Sequence, residues 1–147
     1  MITFKPLENS DVEIIIKMMQ DFYALDNYPI DVQTSRNLFK TFISNESLGR
    51  CYLILNEKEI VGYVIFTFIF SFEYKGQIAF VDELYIQATH RSQGIGQKTI
   101  NFIKTEAKNL DIKLLYLEVE NHNEAAQKLY LKNDFEIHNR SLMKFTV

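Results

Sequence analysis

The period of apolar positions changes repeatedly along the chain, and each change marks an element. "ITFKPL" reads as a short first strand, and "SDVE" (Ser10 to Glu13) has the spacing of a capping box. Ile14, Ile15, Met18, Met19 and Phe22 then recur at helical spacing. "DNYPID" interrupts, because Pro29 disfavours helical backbone at Tyr28, and Asp31 can cap a second helix running to about Ser44. "RCYLILN" and "IVGYVIFTFIFSF" switch to strand patterning, joined by the turn "EKE". Val64, Phe66, Phe68, Phe70 and Phe72 share one face of the second of these, which reads as a core-facing aromatic stripe. After the turn "YKG", "QIAFVDELYIQ" is a further strand.

A helix follows from about Gly94 to Leu110, with Ile95, Thr99, Phe102, Ile103 and Leu110 inward. "KLLYLEVE" reads as a strand. "NEAAQKLYLKND" reads as a short helix with Asn123 as its N-cap. "FEIHN" and "SLMKFTV" read as a closing pair of strands. The order β-α-α-β-β-β-α-β-α-β-β predicts an α/β (α+β) domain over residues 1–147, a central mixed sheet flanked by helices.

Composition narrows the function classes. Apolar residues make up 47% of the chain, with 12 Phe and 8 Tyr, enough for a real core. A net charge of -3 argues against a nucleic-acid-binding surface. Cys51 is the single cysteine, and His90, His122 and His138 are far apart, so no metal site is expected. The N-terminus lacks a signal-peptide pattern, and the greasiest run, Val61 to Phe72, is too short to span a bilayer. The expectation is a soluble, cytoplasmic protein with no membrane partner.

The chemistry-bearing stretch is "HRSQGIGQKT", His90 to Thr99. A P-loop fails there, because Gln97 follows Gly96 where lysine is needed and Arg91 stands at the first glycine position. A dinucleotide fingerprint fails at Thr99, where a third glycine belongs. What remains is R-x-x-G-x-G at Arg91, Gly94 and Gly96, between a strand and an amphipathic helix. The first amides of a helix lack intrahelical partners, and the helix dipole favours an anion there. The absent Cβ atoms let a pyrophosphate approach, and Arg91 can add a charge-assisted contact. Read without that ligand, the stretch is a plain strand-to-helix turn.

"VDELYIQATHRSQGIGQKTI" and "LEVENHNEAAQKLYLKNDF" together resemble the GNAT superfamily of acyl-CoA-dependent N-acyltransferases. The first is similar to its central strand, pyrophosphate loop and helix. The second carries N-x-x-A-x-x-L-Y at Asn123, Ala126, Leu129 and Tyr130. "FYALDNYPID" and "SFEYKG" resemble one bacterial branch of small members. Two departures stand out: Asp134 and Asp111 occupy or adjoin positions where glycine is common. Asp tolerates left-handed backbone better than most residues, so both turns are expected to survive.

The resemblance implies acetyl-CoA as cosubstrate, with no metal. It implies main-chain contacts from Leu84, Tyr85 and Ile86 to the pantetheine arm. Amides of Ser92, Gln93, Gly94, Ile95, Gly96 and Gln97 would meet the pyrophosphate, and Asn123 would bond the arm, cap its helix, or do both. Tyr130 matches the tyrosine that protonates the departing thiolate; read without the motif, it is a core tyrosine. An acceptor ammonium must lose a proton before attack, and Asp82 and Glu83 lie on the central strand to assist. Alternation turns only one of them to the cleft unless a bulge intervenes; Glu83 is preferred, with Glu118 and Glu120 as further candidates. Tyr23, Asp26, Tyr28 and Asp82 are candidate acceptor-binding residues. Cys51 opens a core strand with no His nearby in sequence, a poor setting for a nucleophile.

The expected function is acetyl transfer to a primary amine, a small molecule by preference, directly within a ternary complex. The alternatives are a non-catalytic acyl-CoA sensor, a peptide N-acetyltransferase, or a longer-chain acyltransferase. The family also allows a homodimer.

Overall fold

The computed structural model describes residues 1–147. Strands β1 (Ile2–Pro6), β2 (Gly49–Asn56), β3 (Glu59–Ser71), β4 (Gly76–Ile86) and β5 (Leu115–Leu117) form one five-stranded sheet in that order. Pairing is antiparallel from β1 to β4 and parallel between β4 and β5. The helices are α1 (Val12–Ala24), α2 (Val32–Ser44), α3 (Ile95–Asn109) and α4 (Glu124–Lys132). None is long and apolar enough to cross a membrane.

Alternation along the strands sends apolar side chains to both faces of the sheet. Leu53, Tyr63, Ile65 and Tyr85 pack with Ile15, Ile16, Met18 and Met19 of α1 and Phe39 of α2. On the other face Tyr52, Val64, Phe66, Ala79 and Val81 pack with Ile100 and Ile103 of α3. Both isoleucines are fully buried. Each contributes about 1.5–3 kcal/mol by leaving water, so this face holds α3 firmly against β4.

Two caps form where the sequence places them. Asp31 accepts from the Thr34 amide at 2.7 Å, and Asn123 accepts from the Ala126 amide at 3.1 Å. Asp111 (φ 54°) and Asp134 (φ 68°) adopt the left-handed backbone expected of them.

Several expectations are corrected. The box at Ser10 to Glu13 does not form. A 3-10 turn at Asn9–Asp11 precedes α1, and the Glu8 amide donates to the Asp11 carboxylate at 3.0 Å. Ile14 faces water because the buried arc of α1 runs through Ile15, Ile16, Met18 and Met19. The aromatic stripe is core only as far as Phe66, with Phe68 partly buried. Phe70 and Phe72 are 70% and 90% exposed, since β3 runs beyond the end of β2 at Phe70 and has ended before Phe72. The strand expected over Lys113 to Glu120 shrinks to Leu115–Leu117, because only Ala79 to Val81 of β4 pair with it.

No closing pair of strands forms after α4. A strand pattern needs a partner edge, and β5 offers three residues. Residues 136–147 run without regular structure, tied back through the Arg140–Glu73 ion pair at 2.7 Å.

Candidate active site

β4 carries the site, and a bulge shapes it. Across the β3–β4 ladder Phe66 pairs with Val81 while Ile65 pairs with Glu83, so Asp82 is the extra residue. The bulge reverses the alternation. Val81 faces α3, yet Glu83, which unbroken alternation would place on that same face, points to α1 instead. Beyond Val81 the strands part, because β4 runs on to Ile86 while its pairing with β5 ends. The edge of Asp82 to Ile86 turned away from β3 therefore has no strand partner. This unpaired stretch, termed the slot, has α1 and α2 packed on one face of the sheet and α3 and α4 on the other.

Glu83 is held by two phenols. Tyr23 of α1 donates to Oε2 at 2.8 Å, and Tyr63 of β3 donates to Oε1 at 2.8 Å. Burial pushes the Glu83 carboxyl above its ordinary value, the two phenolic hydrogen bonds oppose that, and Asp82 adds to it. The Asp82 carboxyl is also raised, by desolvation first and then by Glu118. Tyr63 is fully buried and pairs with Tyr85 across the β3–β4 ladder. Nothing in the spacing of the sequence paired it with Glu83.

The remaining acceptor-side candidates gather at the same end. The α1–α2 joint reaches the segment after β5: Asp26 meets His122 Nε2 at 2.8 Å, and Tyr28 donates to Glu120. Glu120 raises the Tyr28 phenol. His122 carries no acceptor-side signal in the sequence, because its partner Asp26 lies far away along the chain.

The loop after β4 leads to the N-terminus of α3. Its N-cap, Gly94, sits at φ 78°, and Ser92 at φ 62°, both left-handed. Unlike α2 and α4, α3 has no side-chain cap, so its first amides are open to an external acceptor. The two glycines differ in purpose. A Cβ at Gly94 would meet nothing within 4 Å, whereas one at Gly96 would lie 3.1 Å from Leu129 Cδ2. Gly96 thus lets α4 pack onto α3, and the expected clearance for a ligand belongs to Gly94.

Arg91 turns back rather than outward. Its Nε donates to the Ile86 carbonyl at 2.9 Å, and its guanidinium lies over the Tyr85 ring. That bond occupies one main-chain acceptor of β4. The Gln97 side chain also looks inward: Asn133 Nδ2 donates to its Oε1 at 2.9 Å. Gln93 bonds the Thr89 carbonyl at 3.1 Å. The contribution left to Gln93 and Gln97 at the loop is their backbone, and Leu84, Tyr85 and Ile86 line the strand leading to it.

α4 packs Tyr130 against the core cluster on the α3 face of the sheet and edge-on to Phe135, with ring centroids 5.6 Å apart. Its hydroxyl has no hydrogen-bond partner in the chain and is not sealed from solvent. Burial raises the phenol, which keeps it protonated at neutral pH. Asn123 caps α4 through Oδ1, so its Nδ2 is free to donate elsewhere. Burial also raises the Cys51 thiol, which leaves it protonated and unreactive.

Residues 15–135 match the acetyltransferase (GNAT) family. The chain belongs to that family. This protein is accordingly an acetyl-transferring enzyme. It is 21% identical over 133 residues to the D-amino-acid N-acetyltransferase HPA3 of Saccharomyces cerevisiae, covering 89% of this chain and 83% of that one. Among solved structures it is similar to the integron cassette protein HFX_CASS3 from the mobile metagenome of Cole Harbour Salt Marsh. The TM-score is 0.87 at 26% identity, over 98% of this chain and 90% of that one. A predicted acetyltransferase from Clostridium acetobutylicum with acetyl-CoA superposes at a TM-score of 0.82. That match has 16% identity and covers 99% of this chain and 96% of that one. It is a likeness of fold.

Proposed function

We propose that this enzyme moves an acetyl group from acetyl-CoA to the primary amine of a small molecule, directly and within a ternary complex. The carrying observation is that β4 loses its β5 partner after Val81 and leads, past its unpaired end, to the uncapped N-terminus of α3. A pyrophosphate suits those open amides, an anion at the positive end of a helix dipole. The edge of β4 at Leu84 to Ile86, free of any strand partner apart from the Ile86 carbonyl that Arg91 holds, can meet the amide groups of a pantetheine arm, as can Asn123 Nδ2. The thioester then lies in the slot.

The two faces of the slot divide the chemistry. On the α1 face Glu83 takes the proton that the acceptor ammonium must lose. Its raised pKa makes it a stronger base than an exposed carboxylate. On the α4 face Tyr130, protonated and without a partner, gives a proton to the departing thiolate, and the second proton shed by the acylated nitrogen restores the phenol. A main-chain N–H of β4 stabilises the oxyanion between them. Tyr23, Asp26, Tyr28 and Asp82 border the acceptor's entrance. The yeast relative that acts on D-amino acids supports a small free amine.

The test is coenzyme A release from acetyl-CoA across lysine, spermidine, glucosamine, D- and L-alanine and a short peptide. Release that depends on one of the small amines is expected. Release with the peptide alone would overturn the small-molecule assignment. Tight acetyl-CoA binding with no amine-dependent release would return the chain to a sensor role.

A further inference from the structure

We infer that the acceptor's proton reaches Glu83 through the hydroxyl of Tyr23, so that Tyr23 is a proton relay and Tyr63 a positioning residue. The inference rests on the reading of Glu83 as the base. It starts from the fact that both carboxylate oxygens already accept a phenolic O–H, each at 2.8 Å.

The two phenols are not equivalent. Tyr63 is fully exposed to protein and not at all to water, with Phe22 and Tyr85 against its ring. It forms the closed wall of the pocket around Glu83. Tyr23 is half-buried near the end of α1, one turn before the joint that carries Asp26 and Tyr28. An amine entering beside that joint meets the Tyr23 hydroxyl before it can meet Glu83.

The proton count closes. The ammonium N–H bond breaks and its proton passes to Tyr23 Oη. In the same event the proton already on Tyr23 passes to Glu83 Oε2. The amine is left neutral with its lone pair free, Tyr23 is again a neutral phenol, and Glu83 is a neutral acid. The proton returns to solvent by the reverse route once product has left. Burial and the neighbouring Glu83 raise the Tyr23 phenol, so a free phenolate is avoided and the two transfers are coupled. The groups facing Glu83 are Tyr23 of α1, Tyr63 of β3, Cys51 of β2 and Asp82 of β4. Cys51 is protonated, and Asp82 disfavours the charged form of Glu83.

The experiment compares kcat/KM against pH, and the solvent isotope effect in mixed H2O and D2O, for the full-length wild type, Tyr23→Phe, Tyr63→Phe and Glu83→Gln. The probe is whichever amine in the panel above gives the fastest release. Tyr63→Phe removes a bond that favours the carboxylate. Its acidic limb should move to higher pH while the high-pH plateau is kept. Tyr23→Phe should move the limb the same way and also lower the plateau by about 10²-fold, the scale of a positioned proton transfer. The wild-type isotope effect should bow with D2O content, as two moving protons require, and become linear in Tyr23→Phe. Recovery of the full Tyr23→Phe plateau at high pH, with a linear wild-type plot, would reduce Tyr23 to a second positioning residue and overturn the relay. The base reading fails separately, if Glu83→Gln keeps the wild-type profile. Thermal melts of each variant identify any that lose their fold, and Tyr23→Trp, which keeps the bulk but not the hydroxyl, then replaces Tyr23→Phe.

Discussion

Alanine at Gly94 should be costly and alanine at Gly96 nearly silent, although the two glycines stand one residue apart in one motif. At Gly94 the backbone has φ 78°, where an L-residue with a Cβ costs about 1–2 kcal/mol. Nothing lies within 4 Å of that Cβ, so the cost is conformational and is not a clash. For a chain of this size about 1–2 kcal/mol lowers Tm by roughly 2–8 °C. Gly94→Asn should lower it less, because asparagine tolerates left-handed backbone. The new Cβ also projects into the open space before the α3 amides, so KM for acetyl-CoA should rise in both variants. At Gly96 the backbone is helical, and alanine gains about 1 kcal/mol of helix propensity there. Its Cβ would meet the tip of the Leu129 side chain at 3.1 Å, a contact that a small side-chain shift relieves. The two terms nearly cancel, and Tm and KM should stay close to wild type. Melts followed by circular dichroism, with initial rates against acetyl-CoA, measure both. The reasoning is refuted if Gly94→Ala is silent while Gly96→Ala loses stability and cofactor affinity.

Other perturbations separate roles that share one residue. Tyr130→Phe should lower kcat by about 10²-fold with little change in KM for acetyl-CoA, since the ring remains and only the proton is lost; an unchanged kcat removes Tyr130 from the acid role. Asn123→Ser keeps a cap but loses Nδ2, so KM for acetyl-CoA should rise with Tm nearly constant. Asn123→Ala should also cost about 1 kcal/mol of stability. Equal Tm values for the two variants would show that the cap carries little. Glu83→Gln should lower kcat yet leave Tm at neutral pH unchanged or higher. The folded pKa of Glu83 lies above its ordinary value. Its contribution to stability is therefore fully present below the ordinary carboxylate pKa and is lost as pH rises through the raised one. A Tm clearly below wild type at pH 7 would contradict that sign.

Local features were legible in the sequence because local rules decide them. Asp31 and Asn123 cap their helices where the spacing put them, and Asp111 and Asp134 take the left-handed turns. The α3 helix begins one residue after Gly94, as its pattern required. Features set by pairing between distant segments were not legible. The bulge at Asp82 decides which carboxylate faces α1, and it exists only in the register between β3 and β4. Tyr63 lies on the face of β3 opposite the aromatic stripe, and only that register brings Glu83 against it. The strand patterns after Phe135 were sound as patterns but had only three residues of β5 to pair with. Phe70 and Phe72 alternate like core residues, but Phe70 sits on a stretch of β3 that β2 does not reach and Phe72 in the turn after it. The inward turn of Arg91 onto Ile86 likewise follows from where β4 ends, not from the R-x-x-G-x-G pattern.

Direct transfer across the slot is the central claim, and two-substrate initial-rate kinetics test it most directly. With both acetyl-CoA and the preferred amine varied, double-reciprocal plots should intersect, because both substrates must occupy the slot together before acetyl moves. Parallel lines, with a burst of coenzyme A released before amine is added, would reveal an acetyl-enzyme and contradict the account.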